Sequence, residues 1–396
     1  MLTDGKKSLV TKLWVLVGTK AEYIKLASLL KALDYAPIKY TLIEIGQHYP
    51  LTDSIRDEFV LRKPDIVIRP MPYKYGLMGK LMWLIRILID IIIATPSKYG
   101  IDGSSQKLAI IQGDTVSTLA AMLLSKKLGF KLAHIEAGLT SRSLFNPIPE
   151  EFIRRIVSKY SDMLFAPSEE ALSNLRKYAH SKSLFLTHGN TGLDSCLEIF
   201  KIIDVPEKSN SRRTLLVAIH RLENLYIPNK LRTIIKVLLL LTEEFDIVMI
   251  NYENTLNRIK QFRLGKLFLE KKNVNIIPHQ GYGNFIINML SSSCVITDGG
   301  TIQEECFYLG IACAILRDRT ERPYCLNAKM AIYSPRGRNI PDIIKWIKNH
   351  VEFGDCLERT NTCPNDKLIR NIKDNLQLSS TEIVMNVLVY NGKCWQ

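Results

Sequence analysis

Short apolar runs alternate with longer stretches of helical periodicity through most of the 396 residues. In the first half the candidate strands are residues 13–18, 40–45, 65–69, 108–112, 131–136 and 163–166. In the second they are 214–218, 246–250, 274–278, 294–298 and 312–316. Most are continuous apolar runs rather than in–out alternations, the pattern of strands covered on both faces. The helical patterns between them predict βαβ crossovers and parallel sheets. A polar, turn-rich PEKSNSRR stretch before Thr214 separates the two series and reads as an interdomain connection. The prediction is an α/β chain of two doubly wound, Rossmann-like domains, 1–190 and 191–365, with a last segment, 366–396, whose helix crosses back to the first. In such sheets ligands bind beyond the strand carboxyl ends, so a cleft between the two domains is the expected site.

The most apolar segment, residues 77–93, is interrupted by Lys80, Arg86 and Asp90. It predicts an amphipathic helix packed on the protein, since a membrane span needs about 20 nearly uncharged residues. With 46% hydrophobic residues the chain can bury a sizeable core, which excludes a disordered polymer. The net charge of +14 favours anionic partners. No basic stripe interleaved with aromatics is present, which argues against nucleic acid. All eight cysteines lie from Cys196 onward, without a CxxC pair or a neighbouring histidine cluster. That excludes a zinc site of the usual spacing and predicts a reduced, cytoplasmic protein.

Chemistry gathers where the strands end. Gly18-Thr19 closes the first strand, and Lys20 and Lys25 follow at the start of a helix, a potential anion site. Gly113-Asp114-Thr115 closes another, with Asp114 reading as a helix N-cap. Glu136 ends an apolar strand, where a carboxylate needs a partner or a function. Glu150 begins a helix after Pro149, with Arg154 four residues on and in range of a salt bridge. His220 directly follows a buried run, ahead of Arg221, Glu223 and Asn224. Asp298-Gly299-Gly300-Thr301 precedes a helix carrying Glu304 and Glu305, a loop whose amides suit a phosphate. Arg317, Arg319 and Arg322 follow the next strand.

The segments GTKAEYIK, GQHY, QGDT, HIEAGL, PEE with Arg154, GNT with Asp194, HRLEN, TDGGTIQEE and RDRTERP occur in this order between positions 18 and 323. Together they resemble the UDP-N-acetylglucosamine 2-epimerase family, whose fold is that of the two-Rossmann-domain (GT-B) glycosyltransferases. The GDT form is similar to the non-hydrolysing branch. The resemblance implies that Asp114, Glu136, Glu150 and His220 line the reaction centre. It implies that Lys20, Lys25, Gly299, Gly300, Thr301, Glu305 and Arg322 bind the UDP-sugar. The chain departs from the family pattern at Lys20, where arginine is usual, and at Asp298-Gly299-Gly300-Thr301, where DSGG is usual. Asn251-Tyr252-Glu253 replaces a histidine-containing motif, and the small-residue loop usual within 70–80 is absent.

The implied reaction inverts C2 of a UDP-2-acetamido sugar through elimination and re-addition of UDP. It needs two acid/base groups on opposite ring faces and cations for the diphosphate, and no metal or cofactor is expected. The expected partners are UDP-GlcNAc or a related UDP-sugar and a second copy of the chain, without nucleic acid or a membrane span. A GT-B glycosyltransferase is the main rival, but it has no need of Asp114, Glu136 and Glu150 together. A hydrolysing 2-epimerase and a non-catalytic UDP-sugar-binding protein are the others.

Overall fold

The computed structural model describes residues 12–36, 38–71, 77–101, 106–142, 149–203, 213–327, 329–333, 340–353 and 379–390. Two compact units divide the chain at Ile199/Phe200, and the residues from Leu376 onward group with the first.

The first unit runs β1 (Lys12–Val17), α1 (Lys20–Tyr35), β2 (Tyr40–Glu44), α2 (Thr52–Phe59), β3 (Ile66–Val67), α3 (Leu77–Ile92), β4 (Lys107–Gln112), α4 (Val116–Lys127), β5 (Lys131–Ile135), α5 (Glu150–Tyr160), β6 (Met163–Ala166), α6 (Glu169–Leu175), β7 (Ser183–Leu186) and α7 (Thr191–Phe200). Its seven strands lie in the order β3-β2-β1-β4-β5-β6-β7, every pairing parallel. Trp14 on β1 is fully buried and stacks on Phe130 with ring centroids 4.2 Å apart. Around it pack Ile43, Ile111, Val157 and, from α3, Trp83 and Ile87. Large apolar side chains of this kind stabilise by about 1.5–3 kcal/mol each when removed from water.

The second unit runs β8 (Thr214–Ala218), α8 (Leu222–Leu225), α9 (Pro228–Leu241), β9 (Asp246–Asn251), α10 (Glu253–Ile259), α11 (Arg263–Leu269), β10 (Val274–Pro278), α12 (Tyr282–Leu290), β11 (Cys294–Thr297), α13 (Gly300–Leu309), β12 (Cys313–Ile315), β13 (Met330–Ile332) and α14 (Ile340–Phe353). Its six strands lie in the order β10-β9-β8-β11-β12-β13, again all parallel. The core joins Leu215, Val217, Ile247, Met249 and Ile296 of the sheet to Leu238 and Phe268 of the covering helices.

Two strands escape the apolar-run reading. Both β7 and β13 are short, and both sit at a sheet edge. β3, at the opposite edge, is shorter than the expected 65–69, although Ile68 and Arg69 still donate to Glu44 and Ile45 of the neighbouring strand. Of the helical pattern over 366–388, residues up to 378 lie outside the described set. The described part is α15 (Ser380–Met385), whose Thr381 N donates to Asp194 Oδ2 at 2.7 Å. Among the described residues no helix is long and apolar enough to cross a membrane.

Candidate functional site

Each sheet reverses its winding once, between β1 and β4 in the first unit and between β8 and β11 in the second. Loops leaving the carboxyl ends of those strands splay apart, which makes this the favoured place for a ligand on such a sheet. The loops concerned carry Gly18 to Lys20, Gly113 to Thr115, His220, and Asp298 to Thr301.

In the first unit, Gly18 lets the β1–α1 turn touch α4, since a Cβ there would fall 2.8 Å from Ser117 Oγ. Gly113 has φ +79, a conformation open to glycine at little cost. The helix that follows is not capped by Asp114. Thr115 takes the N-cap and accepts from Thr118 N at 3.2 Å. Asp114 turns instead to Arg154, its Oδ2 2.5 Å from Nη2 of the guanidinium. Arg154 is placed there because α5 begins at Glu150, one turn earlier, behind Pro149 at the N-cap. Glu150 itself is half-buried at the mouth of that helix.

Glu136 lies just beyond β5 with φ +66, a rare conformation for a residue with a side chain and a form of strain that clusters at functional sites. Its carboxylate receives Lys25 Nζ at 2.5 Å to both oxygens, and Gln112 Nε2 also donates to it. Below it His134 is completely buried, with Nε2 2.8 Å from Gly113 O. Burial pushes that imidazole down to about 4, so the ring is neutral at pH 7. Lys20 opens α1, and burial lowers its pKa, with Glu58 opposing the shift. Asp114 and Glu136, at the ends of adjacent strands β4 and β5, thus each have a cation within 2.5 Å.

In the second unit Asp298 organises the loop after β8. It accepts from His220 N, Arg221 N and Asn224 Nδ2, each at 3.0 Å, and lies 3.5 Å from His220 Nδ1. The His220 side chain stays 39% exposed and rests against Tyr252, ring centroids 4.9 Å apart. Gly299 is the N-cap of α13 and offers no side chain to its first-turn amides, which leaves those donors suited to an anion. Thr301 is half-buried in that turn, and Glu305 is buried farther along the helix. Arg322 is buried at 4% exposure, with Nε 3.2 Å from Glu304 Oε2 and Nη1 2.6 Å from Glu321 Oε1. Arg317 also reaches Glu321, at 2.7 Å. This knot of charges ties the RDRTERP loop to α13.

The structure therefore gathers Asp114, Glu136, Lys25 and the start of α5 at one sheet end, and His220, Gly299, Gly300 and Thr301 at the other unit's sheet end. The motif reading missed the cation partners. Lys25 meets Glu136 and Arg154 meets Asp114, two contacts that the motifs do not announce. Buried His134 and Glu22 also went unread, although a polar residue inside an apolar run is a usable signal for His134.

A sequence model of the family described as UDP-N-acetylglucosamine 2-epimerase matches residues 31–366. The UDP-N-acetylglucosamine 2-epimerase of Methanocaldococcus jannaschii is 31% identical over 328 residues, covering 79% of this chain and 85% of its own. That of Campylobacter jejuni is 29% identical over 341 residues, covering 81% and 85%. Among solved structures, the M. jannaschii enzyme in complex with UDP-GlcNAc and UDP superposes with a TM-score of 0.72 at 27% identity, covering 92% of this chain and 99% of its own. The Neisseria meningitidis UDP-GlcNAc 2-epimerase bound to UDP-GlcNAc gives 0.73 at 25% identity, with the same coverage.

Proposed function

The chain belongs to the UDP-N-acetylglucosamine 2-epimerase family, and from that premise we propose that it interconverts UDP-GlcNAc and UDP-ManNAc without hydrolysis. A carboxylate takes the C2 proton while the C1–O bond to UDP breaks, and the electron pair leaves with the diphosphate to give a glycal. UDP then adds back at C1 as a second group delivers a proton to the opposite face of C2. The observation that carries this reading is the pairing of Asp114 with Arg154 and of Glu136 with Lys25 at 2.5 Å. These contacts hold the two carboxylates in place at the carboxyl ends of adjacent strands, where a positioned acid/base pair can work. Glu150 completes the acid/base set. In the second unit, the α13 N-terminus takes the diphosphate and His220 acts beside it, with Thr301 as a further donor. Lys20, in the first unit, is a further cation for the UDP-sugar. Thr115 after Asp114 supports the non-hydrolysing branch.

The protein pairs with a second copy through α3. Met78, Leu81, Met82, Ile85, Ile89 and Ile92 are exposed there, while Trp83, Ile87 and Ile91 fill the core behind them. The exposed residues form one apolar stripe at helical spacing. A membrane-surface helix would carry several cations along its polar face. Here the face opposite the stripe is buried in protein, so the same stripe from a second copy is the better complement. Buried reduced thiols at Cys294, Cys306, Cys313 and Cys325 suit the cytoplasm.

The test is an NMR time course with UDP-GlcNAc in deuterium oxide. UDP-ManNAc carrying deuterium at C2, with total UDP-sugar conserved, is the expected record. Stoichiometric free UDP with free sugar would overturn the branch, and unchanged substrate would overturn the epimerase reading.

A further inference from the structure

Glu22 is buried at 2% exposure on the first turn of α1 and takes no part in the proton chemistry proposed above. Its oxygens accept from five donors. Gly18 N at 2.6 Å and Thr19 N at 3.3 Å come from the β1–α1 loop. Ser117 Oγ at 2.9 Å, Thr118 Oγ1 at 3.2 Å and Thr115 Oγ1 come from the end of the β4–α4 loop and the first turn of α4. These are the two loops that meet at the winding reversal of the first sheet. One leads into Lys20 and the other carries Asp114, the residue before Thr115. One turn farther along α1, Lys25 holds Glu136.

We propose that Glu22 is a positioning residue: its carboxylate clasps the β1–α1 and β4–α4 loops together and so fixes Asp114 relative to Lys20 and Glu136. A helix-capping role accounts for less than is seen. The capping box needs only Thr19 and the Glu22 contact back to Thr19 N, and it explains none of the three hydroxyls at the start of α4. Those hydroxyls come from residues 93, 95 and 96 positions away, and they meet one carboxylate oxygen, Oε1. The other, Oε2, takes the two backbone amides. Each oxygen therefore holds one loop. Gly18 is part of the same arrangement, because any larger residue there would collide with Ser117.

The inference rests on the epimerase reading, so wild type and variants are assayed together on UDP-GlcNAc. In Glu22→Gln the amide nitrogen cannot accept, so one of the two loops is released. Displacement of a reacting group by about 1 Å costs roughly 100-fold in turnover. The expected result is therefore a kcat about 100-fold below wild type, with KM and calorimetric UDP affinity within threefold. Thr115→Val, which removes one hydroxyl and keeps the volume, should lower kcat by a smaller factor. A folded Glu22→Gln with wild-type kcat would overturn the proposal. If Glu22→Gln does not fold, wild-type kcat in both Thr115→Val and Ser117→Ala overturns it instead. Activity that falls only in step with the UDP-binding fraction would reduce Glu22 to a structural residue. An inactive wild type would fault the epimerase reading, not this clasp.

Discussion

Lys25 Nζ lies 2.5 Å from both carboxylate oxygens of Glu136, joining the second turn of α1 to the end of β5. Both side chains are nearly fully buried. A pair of this kind ties the ammonium to the carboxylate that the proposed chemistry uses. Lys25→Met should reduce kcat at least 100-fold, within the usual range for a disturbed acid/base group. Breaking one side of a buried pair should also cost about 3–5 kcal/mol of stability. UDP affinity by calorimetry should stay within twofold. A tenfold loss of UDP affinity with kcat preserved would return Lys25 to the diphosphate.

Asp114 and Glu150 are tested by amides. Asp114→Asn keeps an acceptor oxygen toward Arg154 and removes the charge, and Glu150→Gln keeps the volume at the start of α5. Each should lower kcat by roughly 10²–10⁴ with little change in melting temperature. Wild-type turnover in both would remove them from the chemistry.

Much of this arrangement is legible in the sequence, for a physical reason. Strands buried on both faces must be written as continuous apolar runs, and polar residues just past such runs stand out. That exposes Asp114, Glu136, His220 and Asp298 at once. What stays hidden is pairing across distance. Nothing near Lys25 in the chain points to a carboxylate 111 positions away. Arg154 shows a local partner at i−4, yet its short contact is to Asp114, because α5 packs beside α4. The edge strands β7 and β13 are missed because an edge strand needs fewer apolar residues. The one-residue error at the α4 cap arises because Asp114 and Thr115 are both good N-cap residues, and only the backbone decides between them.

Two buried groups shift stability in opposite directions with pH. His134 titrates near 4 in the fold against an ordinary 6.5, so its contribution is complete above 6.5 and is lost as pH falls toward 4. Asp194 is raised from 3.8 to about 6, chiefly by burial, so its contribution is complete below 3.8 and is lost as pH rises through 6. Asp194→Asn keeps an acceptor for Thr381 N and removes the ionisation. It should melt higher than wild type at pH 7.5, by on the order of 2 kcal/mol in stability, and equal to it near pH 4. A destabilised variant at pH 7.5 would show that the charge itself holds α15.

The α3 stripe makes a prediction about assembly. Ile85→Glu with Ile89→Glu changes two exposed residues and leaves Trp83, Ile87 and Ile91 in place. Burying two carboxylates in an apolar contact is costly, so the proposed pairing predicts a dimer for the wild type in sedimentation and a monomer for this variant. Secondary structure should be unchanged. A variant that sediments as wild type would mean that α3 is not the contact.

Gly300 and Gly299 are neighbours at the start of α13, yet they should respond differently to a methyl group. A Cβ on Gly300 would fall 2.6 Å from Glu321 Oε1 and closer still to Arg322 Nη1. Neither side chain can retreat, since Arg322 is held by Glu304 and Glu321 by Arg317. Overpacking of this kind typically costs about 1–3 kcal/mol. At Gly299 the nearest atoms are His220 Cε1 at 3.0 Å and Ile302 Cδ1 at 3.1 Å, and the His220 ring is partly exposed and can swing aside. Gly300→Ala should therefore displace the helix N-terminus, weaken UDP binding at least tenfold and lower the melting temperature. Gly299→Ala should keep UDP affinity within about threefold, one charge-assisted bond being worth more than that, and lose kcat through the shifted histidine. Equal losses of UDP affinity in both would mean that the loop yields as a unit and that the buried charge knot does not set the position of α13.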